Sequence, residues 1–194
     1  MKTIFFDVDT QVDFLFPAGA LYVPGAENLL PALARLRDHA AASGIPVVSS
    51  TDAHEEDDPE FIQWPPHCVG GTLGQQKPTE TLLDPRVTVS VAPGEYEPGQ
   101  ARQIIVEKQA LDVFTNPNLP GLLERLGAER CVVYGVVTEY CVRCAAIGLL
   151  RRGYRVELVT DAIQSLDAEA ERRTLEEILA AGGRLTTVAE VCAR

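Results

Sequence analysis

Asp9, Lys108 and Cys141 could together run nucleophilic catalysis, and each lies just past the end of a short apolar run. The thiol would attack, the carboxylate would take its proton, and the ammonium would steady the resulting thiolate. Cys141 follows GVVTEY and opens a helical pattern, so it is expected at a helix N-terminus, where partial positive charge favours thiolate over thiol. A second group sits in TDAHEEDDPEFIQWPPHC, which offers Asp52, His54, Glu60 and His67. Asp-x-His sets a carboxylate and an imidazole side by side, and His67 can close the set from a stiff Trp-Pro-Pro turn. One carboxylate with two imidazoles suits a single divalent transition metal, Zn, Fe or Mn, with the other positions left to water.

Each residue also has a plainer reading. Cys141 can be a small apolar residue packing a helix start, Lys108 a surface lysine and Asp9 a turn cap. The acidic stretch can be a solvated loop with two incidental histidines, although it holds two of the three His in the chain. Cys141 and Cys144 form a Cys-x-x-Cys pair that a thioredoxin-like redox centre would use, but Cys144 fits better as packing one turn along. Gly70, Gly71 and Gly74 follow no strand and make no dinucleotide fingerprint, and no GxSxG or GxxxxGK[ST] occurs.

These residues must be positioned by the elements around them. β-branched runs at residues 3–8, 45–50, 103–106, 131–135, 154–159 and 184–187, with a weaker one at 87–91, alternate with helix-period stretches. Most lack strict in-out alternation, as parallel strands buried on both faces do. Leu29, Leu33, Leu36 and Ala40 share one helix face, with Pro31 in the first turn and Gly44 past the end. Val142, Ala145, Ala146, Leu149 and Leu150 share another, ending at Gly153. Leu175, Ile178 and Leu179 mark a third, capped by Asp167 and stopped by Gly182 and Gly183. Strand and helix in alternation predict an α/β fold, a three-layer α/β/α sandwich around a mostly parallel sheet, with residues 1–194 as one domain. In such a sheet, ligands bind outside the carboxyl ends of the strands. Asp9, Asp52 with His54, Lys108 and Cys141 all fall there, which predicts one shared site. The long irregular stretch from Asp52 to Pro85 is of the length that loops reach when they carry function.

Composition narrows the partners. The 194 residues carry 17 Lys+Arg against 28 Asp+Glu, a formal charge of −11, with 46% hydrophobic and 23% charged residues. A net-negative surface repels nucleic acid and anionic membranes. MKTIFFDV has no secretory core and no run approaches a bilayer span, so a cytoplasmic protein is expected, with its five Cys as thiols.

TIFFDVDT resembles the nucleophile motif of haloacid-dehalogenase-like phosphatases. That resemblance implies Asp7 as nucleophile, Asp9 as acid/base, Mg²⁺ as cofactor and Asp161 with Asp167 as a downstream acidic pair. It leaves WPPHC, the Asp-x-His pair and TEYC without a role. Read in order, DTQVDF (9–14), FPAGALYVPGAE (16–27), TDAH (51–54), WPPHCVGGTLG (64–74), Lys108 and GVVTEYCVRCAA (135–146) resemble the nicotinamidase/isochorismatase-like cysteine hydrolases over nearly the whole chain. This resemblance implies a six-stranded parallel sheet and a catalytic Asp9, Lys108 and Cys141. It also implies a metal on Asp52, His54 and His67, with Glu60 where some nicotinamidases supply a further ligand. A cis peptide at Val136–Val137, an oxyanion hole from the N–H groups of Val137 and Cys141, and ring-binding Phe14 and Trp64 follow from it. In KQALDVFTNPNL only Phe114 matches the family's pocket-shaping segment. The implied activity is metal-assisted hydrolysis of nicotinamide, to nicotinate and ammonia, or of a related small carboxamide through a thioester. A dimer or tetramer is implied, and a non-catalytic binding module of the same fold is the remaining alternative.

Overall fold

A computed structural model describes residues 1–193. Seven strands form one sheet in the order β3-β4-β2-β1-β5-β6-β7: β1 (Thr3–Val8), β2 (Val47–Asp52), β3 (Arg86–Val89), β4 (Gln103–Lys108), β5 (Arg130–Val136), β6 (Arg155–Gln164) and β7 (Arg184–Thr186). Every pairing is parallel. The sheet thus has seven strands and not the six expected from the resemblance. The extra one is β3, which pairs only with β4 at the edge and is exposed over its first three residues.

Parallel strands need crossovers, and six helices among the described residues supply cover: α1 (Val12–Leu15), α2 (Leu30–Ser43), α3 (Leu119–Arg125), α4 (Arg143–Arg151), α5 (Ala168–Ala180) and α6 (Val188–Cys192). Side chains alternate along each strand, so the sheet buries two cores. Ile4, Phe6 and Val8 join Val133, Leu122 of α3, Leu149 of α4 and Ile178 of α5 on one face. Phe5, Val132 and Tyr134 join Leu33 and Leu36 of α2 and Val191 of α6 on the other. Each such Leu or Phe, fully buried, contributes about 1.5–3 kcal/mol relative to exposure.

Local signals behave as their chemistry dictates. Gly44 ends α2 at φ 64°, its N–H bonded to Ala40 O. Asp167 caps α5 by accepting from Ala170 N–H at 2.7 Å. The stretch between β2 and β3 forms two short 3₁₀ turns, Pro59–Ile62 and Thr79–Thr81, and one bridge, His54 to Val69. Among the described residues no helix is long and apolar enough to cross a membrane.

Candidate active site

Register does most of the positioning. Val8 pairs with Ser50, and Asp52 pairs with Lys108, so the ends of β1, β2 and β4 lie side by side. Asp9 leaves β1 at φ 48°, and Ser50 Oγ donates to its Oδ1 at 2.6 Å. Asp9 and Cys68, the described non-glycine residues with positive φ, both border this site. A left-handed backbone disfavours an L side chain by roughly 1–2 kcal/mol, which the surrounding contacts must offset.

Lys108 is buried at the end of β4 and ties the site together. Its Nζ lies 2.9 Å from Asp9 Oδ2, pairs with Asp52 Oδ1, and donates to Cys141 Sγ at 3.6 Å. Burial opposes charge on this amine, but Asp52, Asp9 and Cys141 outweigh it and hold the ammonium well above the ordinary lysine range. Burial pushes the Cys141 thiol well above its ordinary range, with Lys108 pulling down and Asp9 and Asp52 pushing up. This differs from the thiolate expected at a helix N-terminus. Cys141 lies inside a π-helical turn, Thr138–Val142, ahead of α4, and two carboxylates share its surroundings. These influences favour the thiol over the thiolate at rest, and Asp9, one of the carboxylates that push it up, is the candidate base beside it.

Asp52, His54 and His67 are buried, with one ligand atom from each within 4.8 Å of the others. His54 Nδ1 is 2.9 Å from Asp58 Oδ2 and His67 Nδ1 is 2.9 Å from Pro65 O. Both partners are acceptors, so both Nδ1 atoms carry the proton and both Nε2 atoms present lone pairs. Those Nε2 atoms each lie 3.9 Å from Asp52 Oδ2, and His54 Nε2 is buried without a hydrogen-bond partner. An orphaned buried imidazole nitrogen facing a carboxylate and a second imidazole fits a divalent transition ion. Burial moves Asp52 up to about 6 against the pull of Lys108, and burial lowers His67, leaving a neutral ligand. Glu60 lies outside this three-residue cluster. It is half-buried on the cavity wall, close enough to His67 to act on its charge.

Asp9, Asp52, Glu60, His67, Val137 and Cys141 line one cavity, whose empty space together with its open mouth is about 510 Å³. Phe14 and Trp64 lie in its wall, Phe14 tilted against His67 and Trp64 edge-on to Tyr140. The Val136–Val137 peptide is cis, as the resemblance implies. Phe114 is a correction. It packs below Arg152, whose guanidinium lies 3.7 Å from its ring centre, and against Gly148 of α4, away from the cavity. Six further wall residues, Leu21, Tyr22, Val23, Leu111, Tyr140 and Leu166, were not singled out from sequence. Four of them fall inside the FPAGALYVPGAE and GVVTEYC stretches and Leu111 inside KQALDVFTNPNL, so the signal was present; Leu166 carries none.

Gln11 and Asp13 are buried polar residues that shape the rim. The Gln11 amide accepts from Asp52 N–H at 2.7 Å and donates to Asp52 O at 2.9 Å and Gln75 O at 2.8 Å. Asp13 accepts from Cys68 N–H at 2.7 Å and Ala20 N–H at 2.9 Å. The phosphatase roles find no support: Asp7 is ion-paired with Lys77 at 2.8 Å, Asp161 accepts from Val188 N–H, and Asp167 caps α5.

Residues 3–190 match the isochorismatase domain model. The chain belongs to the isochorismatase family. Within the family it is 28% identical to the nicotinamidase/pyrazinamidase of Mycobacterium tuberculosis, over 92% of this chain and 95% of that protein. A pyrazinamidase of Pyrococcus horikoshii, solved in complex with zinc, superposes with a TM-score of 0.80 at 29% identity, over 96% of this chain and 99% of that one. An N-carbamoylsarcosine amidase from Thermoplasma acidophilum gives 0.77 at 26% identity, over 97% of each chain. The chain thus shares its overall fold with these solved structures, and its own cavity lies at the carboxyl ends of its strands.

Proposed function

We propose that this protein is an amidase of the nicotinamidase-like branch, hydrolysing the carboxamide of nicotinamide or a related small ring amide. The observation that carries this reading is the meeting of Cys141, Lys108 and Asp9 at the floor of a largely apolar cavity walled by Phe14 and Trp64. Its nicotinamidase/pyrazinamidase relative and the pyrazinamidase-like structure make it a hydrolase of amide carbon–nitrogen bonds.

In this reading Asp9 takes the Cys141 proton as sulfur attacks the amide carbon, and Lys108 remains cationic beside both. Negative charge developing on the amide oxygen is met by the N–H groups of Val137 and Cys141. Asp9 returns the proton to the departing nitrogen, releasing ammonia and leaving a thioester. It then takes a proton from water as the water oxygen attacks the thioester, and hands it to the departing sulfur, freeing the acid and the thiol. Asp52, His54 and His67 would hold a divalent transition ion, which supplies a Lewis-acid contact for a substrate heteroatom such as a ring nitrogen. Glu60 would act from the cavity wall beside that site.

The test is ammonia release across small carboxamides, nicotinamide and pyrazinamide first. Wild-type turnover lost in Cys141→Ala is the expected result. Comparable turnover in that variant would remove the covalent route.

A further inference from the structure

Asp7 and Lys77 form a buried ion pair that the chemistry above does not use. Their side chains are each 2% exposed, and neither lines the cavity. Thr10 Oγ donates to Asp7 Oδ1 at 2.8 Å and accepts from Lys77 Nζ, while Ser49 Oγ donates to Asp7 Oδ2 at 3.0 Å. Gln103 continues the chain of contacts, donating to Ser49 Oγ and to Thr81 O and accepting from Leu83 N–H. The ladder therefore runs from β1 across β2 to β4 and ends on Thr81 and Leu83, just beyond the segment that carries Lys77.

That segment, residues 68–78, begins immediately after His67. Its backbone holds the turn just past Asp9: Val12 N–H donates to Gln76 O at 2.8 Å, and Asp13 N–H to Gly74 O at 3.0 Å. Asp13 in turn accepts from Cys68 N–H, next to His67, and Gly70 N–H donates to His54 O. One strap thus touches the neighbours of His54 and His67 at one end and is pinned by a charge pair at the other. Apolar residues could fill the volume of the pair, whereas a charged, hydrogen-bonded pair adds a directional constraint, beside those backbone bonds, on where along β1 the strap sits.

We propose that Lys77 is a positioning residue: its ion pair with Asp7 anchors the 68–78 strap and so sets the placement of His67 for metal binding. This rests on reading Asp52, His54 and His67 as metal ligands.

The test uses full-length, chelator-stripped protein titrated with Co²⁺ by visible absorption, with amide exchange of residues 68–78 followed by mass spectrometry. In Lys77→Met, Co²⁺ affinity is expected to fall about 10-fold, the scale typical of outer-shell partners, with faster exchange confined to the strap. Because an unpaired Asp7 can prevent folding, the Asp7→Asn/Lys77→Met double variant is measured alongside. It is expected to regain thermal stability while keeping weak Co²⁺ binding and the fast-exchanging strap. Wild-type Co²⁺ affinity and strap exchange in the double variant would reduce the pair to a core-stability role and overturn the proposal. If the wild-type protein itself takes up no Co²⁺, the metal reading fails separately. Exchange then decides alone: acceleration confined to residues 68–78 upholds the anchor, and wild-type exchange rejects it.

Discussion

Cys141 sits among opposing influences, and their balance has consequences that can be measured one side chain at a time. Burial and two carboxylates keep its proton on, and Lys108 alone pulls the other way. Since the folded-state pKa lies above the ordinary 9.0, the thiol is neutral below that pH, and deprotonation grows only as pH rises toward and past it. Iodoacetamide should therefore alkylate Cys141 in the substrate-free enzyme more slowly than free glutathione at pH 7, and steadily faster above pH 9. Fast alkylation that is flat from pH 6 upward would mean a preformed thiolate and no need for a base. In the proposed mechanism the same balance calls for Asp9 as the proton acceptor during turnover. Asp9→Asn keeps the shape and the Ser50 contact but removes the basic oxygen, so kcat for ammonia release should drop by about 10²–10⁴. A drop in KM-derived affinity with kcat intact would assign Asp9 to binding instead.

The strap and the turn after β1 act as a unit, and glycine is what lets them approach. A Cβ on Gly74 would come within 2.1 Å of the Asp13 carboxylate, so Gly74→Ala must displace that carboxylate from Cys68 N–H. The expected result is weaker metal uptake and lower activity with the sheet intact, read as unchanged far-ultraviolet circular dichroism beside a raised Co²⁺ dissociation constant. An unchanged constant would show that Asp13 does not govern His67. At this scale the sequence was legible where one physical rule dominates. Doubly buried parallel strands announce themselves as β-branched runs, and Pro31, Gly44, Asp167 and Gly153 mark helix ends because capping chemistry is local. The placement of Asp9, Asp52, Lys108 and Cys141 at strand ends was legible for the same reason. β3 was faint because an exposed edge strand of four residues needs little apolar sequence. Phe114 was misplaced because one aromatic in a divergent segment can face either side of a turn, and Arg152 and Gly148 claim it. Lys77 was invisible because nothing local tells a buried lysine from a surface one; only β1 and the strap together create its partner.

For the molecule as a whole, the candidate metal site couples chemistry to folding. Asp52 ends a strand, His54 lies two residues on and His67 follows a long irregular stretch, so their donor atoms gather within 4.8 Å only in the folded chain. An ion that binds these three together therefore stabilises the native state by mass action, about 2.7 kcal/mol when free ion stands at 100 times its dissociation constant. For a chain of this size each kcal/mol shifts the melting temperature by roughly 2–4 °C, which predicts a rise of about 5–10 °C on adding Zn²⁺ to chelator-stripped protein. Fe²⁺ and Mn²⁺ should act in the same direction with different strengths, because the carboxylate and two imidazoles accept all three ions. His54→Ala removes one donor, the orphaned Nε2, and its melting temperature should no longer respond to Zn²⁺. Wild-type protein whose melting temperature is the same with saturating Zn²⁺ as with chelator would show that the three side chains do not act as a metal site. The buried His54 Nε2 would then need a partner of another kind. Ammonia release measured in the same samples separates the two roles of the ion: activity lost on chelation at a temperature far below unfolding assigns it to the chemistry as well as to the fold.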